Sequence, residues 1–253
     1  MKKIKFLLLL LPMLLAAVLL YRSDQEPVVP VDVVASPANA VAEISANFTK
    51  QLQTRLTENI PAATPDATPA ATLLVHARRF AMSQDHLGAY QVQRQDLAQL
   101  LRDAGQLPLA EQVLTDLTFA EQQFAQDQAL VRVFAIKMLA EAARQGDVVP
   151  LQRTAAQLAA SLEQQLQQGQ PFRKAQQQDL LDLLHARVKL QPLQQDVAAL
   201  TELVQALGYR PGLSQVLTDF YGDALFFALK KQYGRETAMT LTRQALQEAD
   251  PQS

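Results

Sequence analysis

Apolar residues recur at helical spacing along the chain from residue 69 onward, and no segment alternates apolar and polar residues as a half-exposed strand does. Glycines interrupt this pattern, and several are followed within a few residues by proline, as expected where one helix ends and the next begins. The interruptions fall at Gly105, Gly146, Gly169, Gly208 and Gly234. The pattern therefore predicts an all-α fold, with helices over 69–84, 86–104, 108–117, 119–145, 149–168, 171–190, 193–207, 211–232 and 235–249.

Two capping signals refine these boundaries. Thr68 followed by Pro69 is typical of a helix start, with a hydroxyl at the N-cap and proline in the first turn. Thr118 followed three residues later by Glu121 has the spacing of a capping box, which predicts that a new helix begins there.

Burial can also be predicted from the pattern. Ala129–Ala140 and Asp219–Leu229 are apolar on nearly every side, so both are expected to be central, buried helices. Ser161–Gln178 is rich in glutamine, with Leu162 and Leu166 as its apolar members, and is expected to lie on the outside.

The N-terminus predicts a membrane segment. Residues 1–22 begin with lysines and continue into the uncharged run Phe6–Tyr21, which as a helix would span roughly 24 Å, slightly less than a bilayer core. The run ends in bulky residues rather than a small-residue cleavage site, which favours an uncleaved signal anchor through residues 4–21 over a cleaved secretory signal. The positive-inside rule then leaves the N-terminus in the cytoplasm and the rest of a bacterial protein in the periplasm.

Residues 23–71 are predicted to be a linker rich in proline and alanine, whose extended spacers cannot pack a core. Within the linker, 41–60 carries Ile44, Phe48 and Leu52 four residues apart, which predicts a short amphipathic helix. That helix could pack on the folded domain or bind a partner. The domain itself is assigned to residues 72–250.

Composition narrows the functional classes. The net charge is -2, and beyond residue 22 the chain holds 19 basic against 25 acidic residues, which argues against nucleic acid and anionic lipid as partners. The chain has no cysteine, so disulfides and thiolate chemistry are excluded. No phosphate-binding or nucleophile motif occurs, and no cofactor, metal or small-molecule substrate is inferred.

Candidate chemical groups are few. The histidines are His76, His86 and His185, and none lies in a metal-binding motif, although Asp182 is placed to lie beside His185 on one helix. The acidic residues considered for an enzyme acting on cell wall are Asp219, Asp223 and Glu236. Catalysis is not expected at either group.

An aromatic cluster is the main candidate surface in the folded domain. Phe220, Tyr221, Phe226 and Phe227 lie within eight residues on one predicted helix. They are interpreted as core residues or, alternatively, as a patch that binds a partner together with Ile44, Phe48 and Leu52 of the linker.

A thirteen-residue stretch recurs in the chain. Gly105–Leu117 and Gly208–Phe220 share seven identical residues at a constant offset of 103, and each is interpreted as the corner of an α-hairpin. The spacing of apolar and small residues around the first corner resembles that of tetratricopeptide repeats. The residues that carry this resemblance are Leu97, Ala98, Leu101, Gly105, Ala110, Leu114 and Leu117.

The resemblance implies an array of α-hairpins with a groove that binds peptides or proteins. The glycine-to-glycine spacings of 41, 23, 39 and 26 residues depart from the family's steady period of about 34, and an irregular helical bundle is the alternative fold. The leading hypothesis is a periplasmic scaffold that is anchored in the inner membrane and binds an envelope or secreted protein. A membrane-tethered chaperone, organised as lipase-specific foldases are, is the alternative.

Overall fold

A computed structural model describes residues 68–83, 89–170, 173–190 and 192–250. The helices in these ranges are α1 Pro69–Ser83, α2 Ala89–Leu100, α3 Gln106–Thr115, α4 Leu117–Phe124, a 3-10 turn Ala125–Asp127, α5 Gln128–Arg144, α6 Val149–Gln167, α7 Lys174–Val188, α8 Val197–Ala206, α9 Gln215–Tyr233 and α10 Arg235–Ala249. No strand occurs in them, so the predicted all-α class is confirmed for this part of the chain.

The N-terminal predictions lie elsewhere in the chain. The signal anchor at 1–22, the spacers of 23–71 and the helix at 41–60 fall almost entirely outside the described residues. Among the helices that the structure describes, none combines the length and hydropathy needed to cross a bilayer.

Helix α5 is the centre of the packing, as its apolar sequence predicted. It contacts α1, α2, α3, α4, α6 and α7, and its buried residues include Val131, Phe134 and Leu139. Neighbouring helices continue the contacts, because α7 packs against α9, and α10 packs against both α8 and α9. The helices α2, α5, α7 and α9 therefore form a series in which each contacts the next.

One ion pair crosses the α5–α7 contact inside the core. Arg132 is 5% exposed and Asp179 is 3% exposed, and the guanidinium donates to both carboxylate oxygens at 2.7 and 2.8 Å. Arg132 also donates to the Gln128 side chain and to the Ala175 carbonyl. Burial raises the pKa of the Asp179 carboxyl, whereas the hydrogen bonds from Arg132 oppose that shift. The pair fixes the position of α7 on α5.

The prediction for α9 is correct on one side of the helix only. Tyr221, Leu225 and Leu229 are buried, but Phe227 is 56% exposed. Ser161–Gln178 was predicted to lie on the outside. This is wrong for the side of the helix that carries Leu162, because Leu162 is fully buried in the core. A glutamine-rich helix can still pack one face, since few apolar positions suffice for that.

The start of α1 is confirmed, and the start of α4 is corrected. The Thr68 hydroxyl accepts a hydrogen bond from the Ala71 amide at 3.3 Å. The N-cap of α4 is Asp116 rather than Thr118, because the Asp116 backbone is extended and its carboxylate accepts from the Phe119 amide at 2.9 Å.

The single helix predicted over 119–145 is two helices. The chain turns at Ala125, whose φ of 45° no L-residue adopts within an α-helix, and α5 begins only at Gln128. No glycine or proline marks this break in the sequence. Helices α8 and α9 also begin about four residues later than predicted. In α8 the Asp196 side chain caps the Ala198 and Ala199 amides.

The two recurring stretches adopt different structures. Gly105 has a φ of -82° and α3 begins directly after it, so Pro108 is helical. Gly208 has a φ of 98° and ends α8, and an irregular segment continues to Ser214 before α9 begins. The shared residues therefore end α3 in one copy and begin α9 in the other.

Candidate functional site

A groove runs over the series α2, α5, α7 and α9. Its first part is a cavity of about 530 Å³ between α2, α5 and α7, and its second is a cavity of about 580 Å³ between α7 and α9. Both are lined by His185, Lys189 and Leu190, near the end of α7. We call these two adjoining cavities together the α7 groove.

Three large apolar side chains of the α7 groove are open to solvent. Tyr90 on α2 is 64% exposed, Val133 on α5 is 41% exposed, and Phe227 on α9 is 56% exposed. Other apolar residues of the lining, including Ile136 and Ala224, are buried. The groove thus presents separate apolar contact points on three helices, which is what a bound polypeptide needs for anchoring.

Two arginines share one buried carboxylate at the α2 side of the groove. Glu141 on α5 is 2% exposed and accepts hydrogen bonds from Arg94 at 3.4 Å, from Arg144, and from Gln145 at 3.3 Å. The Arg94 guanidinium also lies 5.8 Å from the ring centre of Tyr90, in cation–π geometry. Glu141 therefore holds both guanidinium groups at the edge of the cavity.

The α7 groove is basic although the chain as a whole is mildly acidic. Its lining includes two acidic side chains, Glu141 and Asp182. The five basic side chains of the lining are Arg94, Lys137, Arg144, Lys189 and Lys231. The lining therefore carries a net charge of three positive units. The net charge of the whole chain, -2, did not reveal this, because the basic residues come from distant parts of the sequence.

The imidazole of His185 also lines the groove. Burial lowers the pKa of its imidazole, the Lys189 ammonium lowers it further, and Asp182 and Asp223 oppose these effects. The predicted proximity of Asp182 to His185 is consistent with this electrostatic effect. Asp182 also accepts a hydrogen bond from the Gln178 amide at 3.0 Å.

The predicted aromatic cluster is divided between the core and the surface. Tyr221 is 1% exposed, and its hydroxyl donates to the Leu207 carbonyl at 2.9 Å, so it is unavailable to a partner. Phe220 and Phe226 are partly buried against the core. Phe227 lines the α7 groove, and Ile44, Phe48 and Leu52 of the predicted surface lie outside the described residues.

The acidic residues considered for catalysis lie outside the lining of the α7 groove. Asp219, Asp223 and Glu236 are exposed, and none of them lines either cavity of the α7 groove. Asp219 accepts from the Gln215 side chain at 2.7 Å. Across the described ranges, no three histidine or acidic side chains are grouped as metal ligands would be.

The remaining histidines lie apart from the groove lining. His76 is partly buried on α1, where burial lowers the pKa of its imidazole and Asp96 opposes that shift. His86 lies outside the described residues.

Sequence reasoning missed Tyr90 and Val133. Tyr90 lies among mostly polar residues along its helix, whereas Val133 lies in the run Ala129–Ala140 that was predicted to be buried but is itself 41% exposed, so neither was marked as exposed apolar surface.

No family model, curated protein or solved structure matches this chain.

Proposed function

We propose that the chain is a protein-binding scaffold that engages a segment of another envelope or secreted protein in the α7 groove. In this proposal residues 4–21 anchor it in the inner membrane, and residues 72–250 act in the periplasm. The observation that carries the proposal is the pair of adjoining cavities, with exposed Tyr90 and Val133 in the first and exposed Phe227 in the second.

The dimensions of the α7 groove suit a polypeptide. Packed helices lie about 8–10 Å apart, so a surface crossing four of them extends over roughly 25–30 Å. A bound helix is about 10–12 Å across, which allows it to contact more than one of these helices at once. Apolar side chains spaced along one face of such a segment would be anchored by the exposed groove residues.

The fixed orientation of the exposed Phe227 ring also supports binding over a purely structural role. Phe227 packs edge to face against Phe226 with ring centres 5.5 Å apart, which orients its ring while more than half of it stays in solvent. An aromatic ring held in place loses little conformational freedom when a partner covers it, and such residues dominate binding energies.

Affinity capture with matched variants tests the proposal. Val133→Ser with Phe227→Ala removes two contact points of the groove, whereas Val216→Ser with Met239→Ala changes two apolar residues of similar exposure that do not line it. We expect the wild-type chain and the control to capture one protein in stoichiometric amounts from gently solubilised envelopes. Capture by the groove variant should fall at least about tenfold.

Circular dichroism must show that both variants retain wild-type helicity. Equal capture by the groove variant and the control would contradict binding in the α7 groove. Capture of many unfolded exported proteins in place of one partner would instead favour the chaperone alternative.

A further inference from the structure

The two arginines on Glu141 are oriented but not neutralised. Their side chains are 47% and 41% exposed in Arg94 and Arg144, whereas the carboxylate between them is 2% exposed. A guanidinium has five N–H donors, and one carboxylate cannot occupy those of two arginines. One positive charge and several donors therefore remain at the edge of the first cavity.

Two lysines add to this charge. Lys137 lies one turn before Glu141 on α5, and Lys189 lines the same cavity directly after the end of α7. Among the described residues, no carboxylate lies within ion-pair distance of either ammonium group. The first cavity thus has four cations against the two carboxylates of Glu141 and Asp182, beside the apolar side chains of Tyr90 and Val133.

Resting on the proposed function, we infer that the groove selects an acidic, amphipathic segment. Its apolar residues contact Tyr90 and Val133, and its carboxylates bind the paired guanidiniums of Arg94 and Arg144. Fixed guanidiniums favour carboxylates because parallel N–H donors match the two carboxylate oxygens. Lys137 and Lys189 bind further carboxylates, so a basic segment of the same apolar pattern is disfavoured.

A pair of synthetic peptides tests the inference. One peptide carries leucines along a single helical face and glutamates on both flanks, and the other has every glutamate replaced by glutamine. A scrambled acidic peptide without the leucine face is the control for nonspecific attraction. Binding to the purified full-length chain is measured by fluorescence anisotropy. We expect the acidic peptide to bind at least about tenfold more tightly than the other two, with an affinity that falls as salt is added.

Charge variants assign the preference to the named residues. Arg94→Gln with Arg144→Gln is expected to reduce the preference for glutamate over glutamine at least about fivefold. Because that variant leaves Glu141 without its guanidiniums, Lys137→Gln with Lys189→Gln provides a second test that keeps the buried carboxylate paired. Arg235→Gln with Arg243→Gln, on exposed positions of α10, is the control of equal charge change and should leave the preference unchanged.

The outcomes separate this inference from the proposed function. If the glutamate and glutamine peptides bind with equal affinity, the selection of acidic segments is overturned. If Phe227→Ala lowers both of these affinities, the groove is still a binding site. A preference that persists unchanged in both groove charge variants would also overturn it. Absence of binding by every peptide would overturn the inference, whereas the proposed function stands or falls on the capture experiment.

Discussion

Replacing Asp179 with alanine is expected to destabilise the folded domain by roughly 3–5 kcal/mol, because it leaves the buried Arg132 guanidinium without its carboxylate. The guanidinium keeps its bonds to Gln128 and the Ala175 carbonyl, but neither carries a compensating negative charge. Since the pair joins α5 to α7, the same substitution should loosen the wall shared by both cavities of the α7 groove.

Urea denaturation followed by circular dichroism measures this effect. Asp219→Ala is the matched control, because that carboxylate is exposed and accepts a hydrogen bond from the Gln215 side chain one turn away, so little change is expected. Replacing the pair by Arg132→Met with Asp179→Leu should restore most of the lost stability, because no unpaired charge remains. A cost below about 1 kcal/mol for Asp179→Ala would show that the pair does not hold α7 on α5.

Gly208→Ala is expected to have the second largest effect. A Cβ at this position would lie 2.6 Å from the Ala156 Cα and 2.9 Å from its Cβ, so α6 would have to move away from the end of α8. The φ of 98° adds backbone strain for any L-side chain. Strain and overpacking together predict a loss of about 2–4 kcal/mol.

Gly146→Ala distinguishes the cost of backbone strain from the cost of overpacking. Its φ is 105°, close to that of Gly208, but an added Cβ would meet no atom within 4 Å. We expect this substitution to cost only the backbone strain, about 1 kcal/mol, when both variants are compared in thermal denaturation. Equal losses in the two variants would mean that the close approach of Gly208 to Ala156 contributes nothing.

The sequence predicted the parts of the fold that depend on local pattern. The apolar run Ala129–Ala140 marked the central helix, and Thr68 with Pro69 marked the start of the first described helix. It did not predict the break at Ala125, because no glycine or proline marks this turn in the sequence. A signal for the buried ion pair was present, since Arg132 is one of two charged residues in the apolar run Ala129–Ala140 and a buried guanidinium requires a partner.

The α7 groove could not be read from the sequence for a geometric reason. Tyr90, Val133 and Phe227 belong to helices far apart in the chain, and only the packing of α2, α5, α7 and α9 brings them onto one surface. The aromatic cluster pointed to Phe227 but also to Tyr221, because the two residues are six positions apart and lie on different sides of the helix, with Tyr221 in the core and Phe227 in solvent. The basic character of the groove could not be predicted either, because the net charge of the whole chain is -2.

Site-specific photo-crosslinking in the cells from which the chain comes tests the central claim most directly. A photoreactive phenylalanine derivative replaces Tyr90, Val133 or Phe227 in turn, and Val216 or Met239 as controls of similar exposure outside the groove. The account predicts one shared adduct at the three groove positions and none at the controls. Absence of adducts in the groove, or the same adducts at Met239 as at Phe227, would contradict it.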